Sequence, residues 1–139
     1  MERKLNPKGQ MLKVTLIEDD PRMVSLLSTL LIMEGYTVRV PSNHQMQSLL
    51  EVILLERPHI ALIDVNLAKG SGLDLVRAIR GDPEINSTCI VMTSGLNLEA
   101  ASQQAGADGF IQKPFMPEEL VKLIQDTYHQ SDKYQQQKE

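Results

Sequence analysis

The sequence predicts an α/β protein, with a doubly wound five-stranded parallel sheet and helices on both faces. Three observations point there. Strand-like and helix-like segments alternate five times along the chain. The strand segments read as nearly unbroken apolar runs, as burial on both faces requires. Acidic and hydroxyl residues gather where those strands end, the edge at which such sheets bind ligands. Right-handed crossovers leave few topologies, and the flavodoxin-like order 2-1-3-4-5 is the common five-stranded solution.

The elements follow in order. Residues 1–11 read as a loose polar arm, and residues 12–130 as the folded domain. From Lys13, KVTLIE is a β-branched apolar run and the first strand. Asp20 before Pro21 is an N-cap followed by proline in the first helical turn. Met23, Leu26, Leu27, Leu30 and Leu31 then recur at helical spacing until Gly35. YTVRV is the second strand, and Met46, Leu49, Leu50, Ile53 and Leu54 mark one face of the second helix, which Pro58 stops. HIALID is the third strand, and the loop VNLAKGSG leads to a helix with Leu73, Val76 and Ile79. TCIVMT is the fourth strand, followed by a weak helix over residues 97–105, and GFIQ is the fifth strand. The last helix begins near Pro117 and carries Leu120, Val121, Ile124 and Tyr128. Residues 131–139 read as a frayed polar tail.

Composition narrows the function. The chain has 139 residues, enough for one domain, with 42% hydrophobic and 23% charged residues. Its net charge of −4 argues against holding nucleic acid by bulk electrostatics. The one cysteine, Cys89, excludes an intrachain disulfide and disfavours a cysteine zinc site, which suits a reducing cytoplasm. No apolar run approaches the roughly 20 residues of a membrane helix, and MERKLNPKGQ lacks a signal-peptide core.

Strand ends carry the chemistry. The first ends in Glu18 and Asp19, the third in Asp64 and the fourth in Thr93 and Ser94, while Lys113 and Pro114 follow the fifth. Neighbouring strands lie about 4.8 Å apart, so three carboxylates crowd one shallow pocket. Two unit charges at 4 Å repel by roughly 4 kcal/mol at an effective dielectric of 20. A divalent cation relieves that repulsion, and oxygen-only ligands favour Mg²⁺ or Mn²⁺ over zinc. An ionised carboxylate there is a candidate nucleophile toward a phosphoryl group, with the metal, Lys113 and the Thr93 hydroxyl on the phosphoryl oxygens. Taken singly, most members have plain structural readings: Asp20 as a helix cap, Thr93 as a strand residue, Lys113 as a solvated lysine. Asp64 differs, because it ends a buried strand where an unpaired acid is costly. His59 opens the third strand, and His44 and His129 fall in helices. All three read as surface or capping residues, with no two at metal-ligand spacing.

LIEDDP, LIDVNLAKGSG, VMTSG and GADGFIQKPF together resemble the receiver domain of two-component response regulators, in its chemotaxis-type single-domain form or as a piece of a longer regulator or hybrid kinase. The resemblance implies that Asp64 is the phosphoacceptor. It makes Asp19 a direct metal ligand and Glu18 one acting mainly through water. It gives the metal the backbone carbonyl of Asn66. Thr93 becomes the switch hydroxyl, Lys113 the phosphate partner, Phe110 the aromatic rotamer switch, and Lys113–Pro114 a cis peptide. Four departures stand out. Ala68 occupies a position where proline is usual, and Phe110 lacks the hydroxyl of the commoner tyrosine. The interval from Thr93 to Lys113 is a short 20 residues, and Gly95 offers no side chain beside the acceptor.

The implied function is a phosphorylation-gated switch. A histidine kinase or phosphotransfer protein supplies the phosphoryl group, and the surface of the fourth helix, fifth strand and fifth helix changes its affinity for a downstream protein or for a second copy of the chain. Only self-phosphotransfer and autodephosphorylation are expected, not turnover as an enzyme. A pseudo-receiver scaffold is one alternative. A Mg²⁺-dependent phosphatase with an aspartyl nucleophile is another, although Asn66 stands where that chemistry needs a second acid. Flavodoxin-type flavin binding is disfavoured, since EDDP would repel phosphate.

Overall fold

The computed structural model describes residues 3–138. Its sheet has five parallel strands in the order β2-β1-β3-β6-β7. These are β1 (Lys13–Ile17), β2 (Thr37–Arg39), β3 (Ile60–Asp64), β6 (Cys89–Ser94) and β7 (Gly109–Gln112). The helices between them are α1 (Pro21–Met33), α2 (Met46–Glu56), α3 (Gly72–Arg80), α4 (Glu99–Ala105) and α5 (Pro117–Gln130). This is the 2-1-3-4-5 arrangement expected from the alternation. The loop after β3 adds a small antiparallel ribbon, β4 (Asn66–Leu67) with β5 (Gly70–Ser71).

Side chains alternate along each strand, so the sheet divides the core in two. Val14, Leu16, Ile60, Leu62 and Val91 face Leu27 and Leu31 of α1 and Leu120, Ile124 and Tyr128 of α5. Ile17, Ala61, Ile63, Ile90 and Met92 face Leu49 and Ile53 of α2 and Leu75, Val76 and Ile79 of α3. Every residue of β3 is buried. A central parallel strand has no polar face, which is why IALI carries no alternation in its sequence.

Helix ends follow their local chemistry. The Asp20 carboxylate accepts the Arg22 N–H at 3.0 Å, and Pro21 opens α1. Gly35 takes φ 100° just after that helix. Arg57 caps α2 in the left-handed region, at φ 45°, before Pro58. At α5 the Glu119 carboxylate accepts the Met116 N–H at 3.0 Å, behind Pro117. The helix expected over residues 97–105 is the seven-residue α4 with no side-chain N-cap, matching its poverty in large apolar residues. Among the described residues, no helix is long and apolar enough to cross a membrane.

Both ends of the chain differ from the sequence expectation. Residues 3–11 are tied to the body rather than loose. Asn6 Oδ1 accepts the N–H groups of Lys8 and Gln10, Leu5 bridges Met11, and Lys4 N–H donates to the Gly35 carbonyl. In the tail, Asp132–Lys138 form α6, and Tyr134 packs edge-on against Tyr128 at 5.5 Å. One aromatic anchor converts a polar segment into a docked helix. Residues 1, 2 and 139 of those two segments lie outside the described residues.

His59 joins the arm to the sheet. Its Nδ1 accepts the Lys13 N–H at 3.0 Å, a bond the protonated ring cannot make. Burial, reinforced by the charges of Lys133 and Lys13, lowers the imidazole from 6.5 to about 4. Because the folded value lies below the unfolded one, the unfolded chain takes up the proton first. Stability contributed by neutral His59 is therefore complete above pH 6.5 and is lost as pH falls toward 4. Urea denaturation at pH 7 and pH 4.5 should show a larger acid loss for wild type than for His59→Gln. Equal losses would dissociate His59 from the acid sensitivity.

Candidate functional site

The sheet register delivers the polar residues to one edge. Ile17 pairs with Ile63, Asp64 with Thr93, and Ser94 with Gln112. Glu18 and Asp19 therefore emerge beside Asp64, and Lys113 arrives from β7 two strands away. The Lys113–Pro114 peptide is cis.

Lys113 is the centre of the cluster. Its Nζ donates to Glu18 Oε1 at 2.7 Å and to Asp64 Oδ2 at 2.9 Å. Glu18 is 4% exposed and Asp64 7%. Two acids this deeply buried need a partner, because an unpaired buried charge costs several kcal/mol. Burial opposes the Lys113 ammonium, yet the hydrogen bonds and charges of Glu18 and Asp64 outweigh it and hold the group above the ordinary lysine range. The remaining carboxylate oxygens are also engaged. Glu18 Oε2 accepts the Asp20 N–H at 3.1 Å, and Asp64 Oδ1 accepts the Asn66 N–H at 2.9 Å.

Asp19 departs from expectation. Its two oxygens meet His44 Nδ1 and the Ala68 N–H. His44 Nε2 in turn lies 3.0 Å from the Pro41 carbonyl oxygen. His44 lies in the loop between β2 and α2, not in a helix, and packs at the site rather than on the surface. Both of its neighbours are oxygen acceptors. Ala68 matters for a related reason: the proline usual at that position has no N–H to give Asp19. Among the described residues, no three His, Cys, Asp or Glu side chains stand together as a metal-binding group. Thus Glu18, Asp19, Asp64 and Asn66 share one end of the sheet, as expected, but Lys113 and His44 occupy their carboxylates. The expectation of a pocket without a nearby histidine is corrected. A histidine at one position gives no sequence signal of a contact 25 residues away.

The other expected residues fall around this centre. Thr93 is buried on β6 beside Asp64. The Asn66 side chain donates to Ser94 Oγ at 3.2 Å, a role the sequence did not suggest for Ser94. Phe110 is half-buried on β7 and packs on the core half that contains Met92 and Ala105. A cleft of about 460 Å³ opens beside the cluster, lined among others by Glu18, Asp19, Pro41, His44, Ala68 and Lys69.

The response regulator receiver domain family matches residues 14–125. The chain belongs to that family. It is 32% identical over 128 residues to the transcriptional regulatory protein CpxR of Escherichia coli K12, covering 90% of this chain and 53% of CpxR. The chain spans about half the length of the curated relatives it matches. Chemotaxis response regulator CheY4 of Vibrio cholerae superimposes with a TM-score of 0.77 at 26% identity, over 85% of this chain and 99% of CheY4. The receiver domain of sensor histidine kinase PA1611 from Pseudomonas aeruginosa PAO1, 22% identical, shares the fold with a TM-score of 0.74 over 84% of this chain and 97% of its own, and carries a magnesium ion in its active-site cleft.

Gly72 fixes the loop after β3. Its N–H donates to the Val65 carbonyl at 2.8 Å, and a Cβ there would lie 2.2 Å from the Asp64 carbonyl oxygen. Backbone, not a flexible side chain, stands in the way. Gly72→Ala should destabilise the domain by about 3 kcal/mol and displace Asp64. Thermal unfolding and the Asp64 amide shift measure the two effects, and a melting temperature within a degree of wild type would contradict the packing described.

Proposed function

We propose that this receiver takes a phosphoryl group onto Asp64 and that the added charge switches the surface formed by α4, β7 and α5. The contact that carries the reading is the Lys113 ammonium held between Asp64 and Glu18. It stands where a phosphoryl group on the Asp64 carboxylate would place negative oxygens. In the transfer, one Asp64 oxygen bonds to phosphorus as the P–N bond to the donor histidine breaks, and the imidazole nitrogen keeps that electron pair. Lys113 then pairs with the new oxygens, and the Thr93 hydroxyl moves to join it. Phe110 turns into the space that the loop after β6 leaves.

Asp19, Asp64 and the Asn66 carbonyl are the donors for magnesium or manganese, with Glu18 acting through water. An oxygen-only set suits a hard cation. It fits once Asp19 gives up His44 and the Ala68 N–H. When bound, the ion would neutralise phosphoryl oxygens. The phosphodonor is a histidine kinase or phosphotransfer protein in the cytoplasm, and the reader is a downstream protein or a second copy of the chain. The domain turns over nothing but its phosphodonor and is not an enzyme in the usual sense. One observation favours a scaffold that is never phosphorylated: both Asp19 oxygens are already engaged.

Acetyl phosphate with Mg²⁺, read by intact mass, decides between the two. Wild type should gain one phosphoryl group, Asp64→Asn should gain none, and omission of the metal should abolish the gain. An inert wild type would favour the scaffold. A second measurement addresses the Asp19 contacts. Removal of one charge-assisted hydrogen bond, in His44→Ala, should tighten Mg²⁺ binding by about fivefold to tenfold in calorimetry. Weaker binding would instead make His44 a supporter of the metal.

A further inference from the structure

At the end of the sheet opposite Asp64, two segments outside the family-matched span meet. The arm supplies Gln10 and Met11, and α6 supplies Lys133. With Lys13 at the start of β1, Arg57 at the C-cap of α2 and His59 before β3, they line a cavity of about 370 Å³. We propose that this cavity is a binding site for a diphosphate group, free or carried on a small phosphorylated ligand.

Charge is the first support. Lys13, Arg57 and Lys133 enter from three different elements, and Lys8 stands behind them. Among the described residues, no carboxylate forms an ion pair with Lys8, Lys13 or Lys133. Lys13 Nζ donates to the Glu56 main-chain carbonyl. Arg57 meets Glu84 at 3.4 Å on the outer rim, where both side chains are more than half exposed. A second guanidinium nitrogen donates to the Glu84 main-chain carbonyl at 3.3 Å. Contacts this exposed contribute little, so an anion can compete for the guanidinium. A chain of net charge −4 therefore gathers cations here with, among the described residues, only the rim carboxylate of Glu84 paired to any of them.

Chemistry and size are the second. Burial, with the charges of Arg57, Lys13 and Lys8 adding to it, pulls the Lys133 ammonium below the ordinary lysine range. An anion reverses that repulsion. His59 is neutral at pH 7 and adds a ring wall rather than charge. A guanidinium with two ammonium groups matches the several oxygens of a diphosphate. The volume lies near the lower bound of small-ligand sites. A bound anion would tie the arm to α6 across His59.

The full chain, in EDTA, is titrated with sodium pyrophosphate and separately with ADP, followed by calorimetry and backbone amide shifts. Saturable binding is expected, with shifts centred on Gln10, Met11, Lys13, Arg57, His59 and Lys133. Lys133→Glu, on a half-exposed site, and Arg57→Asn, which tolerates the left-handed backbone, should each weaken binding at least tenfold. Asp64→Asn should leave it unchanged. Equal affinities identify free diphosphate as the ligand, and tighter ADP identifies a phosphate ester. Absence of saturation, shifts centred on Lys113, or a Lys133→Glu affinity equal to wild type in a folded protein would each overturn the site.

Discussion

The contacts of Lys113 with Glu18 and Asp64 are the constraint on which the rest of the molecule turns. A parallel sheet brings every strand end to the same edge, and in this chain those ends are acidic. Coulomb repulsion among buried carboxylates would splay the edge apart. One ammonium, reaching from beyond β7, satisfies two of the acids at 2.7 and 2.9 Å and closes the edge over β6. Its position depends in turn on the packed strands beneath it, so core and site stabilise one another. The same contacts leave the buried Asp64 carboxylate at the sheet edge with an ammonium already in hydrogen-bond contact.

The electrostatics of the whole domain follow the direction of its helices. Each of α1, α2 and α3 starts near the acidic edge and ends near the basic one. Positive helix N-termini thus lie toward Asp19 and Asp64, and the negative C-terminus of α2 lies by Arg57 and Lys13. Lys13 Nζ donates to a carbonyl of the last turn of α2, a direct complement to that dipole. The two ends of one sheet therefore hold opposite charge for the same backbone reason.

Much of this was legible in the residues. Alternating segments gave the sheet order, because an apolar strand between amphipathic helices has few ways to bury itself. Asp64 stood out because it ends a buried strand. What escaped was contact between distant loops. His44 read as a helical surface residue, since nothing in its neighbours shows that residues 40–45 fold over Asp19. Ala68 read only as a departure from the usual proline, yet its significance is a hydrogen that proline would not carry. The arm and tail read as loose because they are polar. Their order comes from Asn6, which binds Lys8 and Gln10 nearby and His59 far along the chain, and from Tyr134, which packs on Tyr128 six residues before it.

Gly95 has a practical consequence. A Cβ built there meets nothing within 4 Å, and its backbone is open to any L-residue. Cys89 is fully buried, and burial together with the charge of Asp108 pushes its thiol well above the ordinary range. A cysteine introduced at position 95 would thus be the one thiol that a maleimide dye attacks. Position 95 thus offers a port for a fluorophore two residues past Thr93, the strand partner of Asp64, so the surroundings of the loop after β6 can be followed as a colour change in solution.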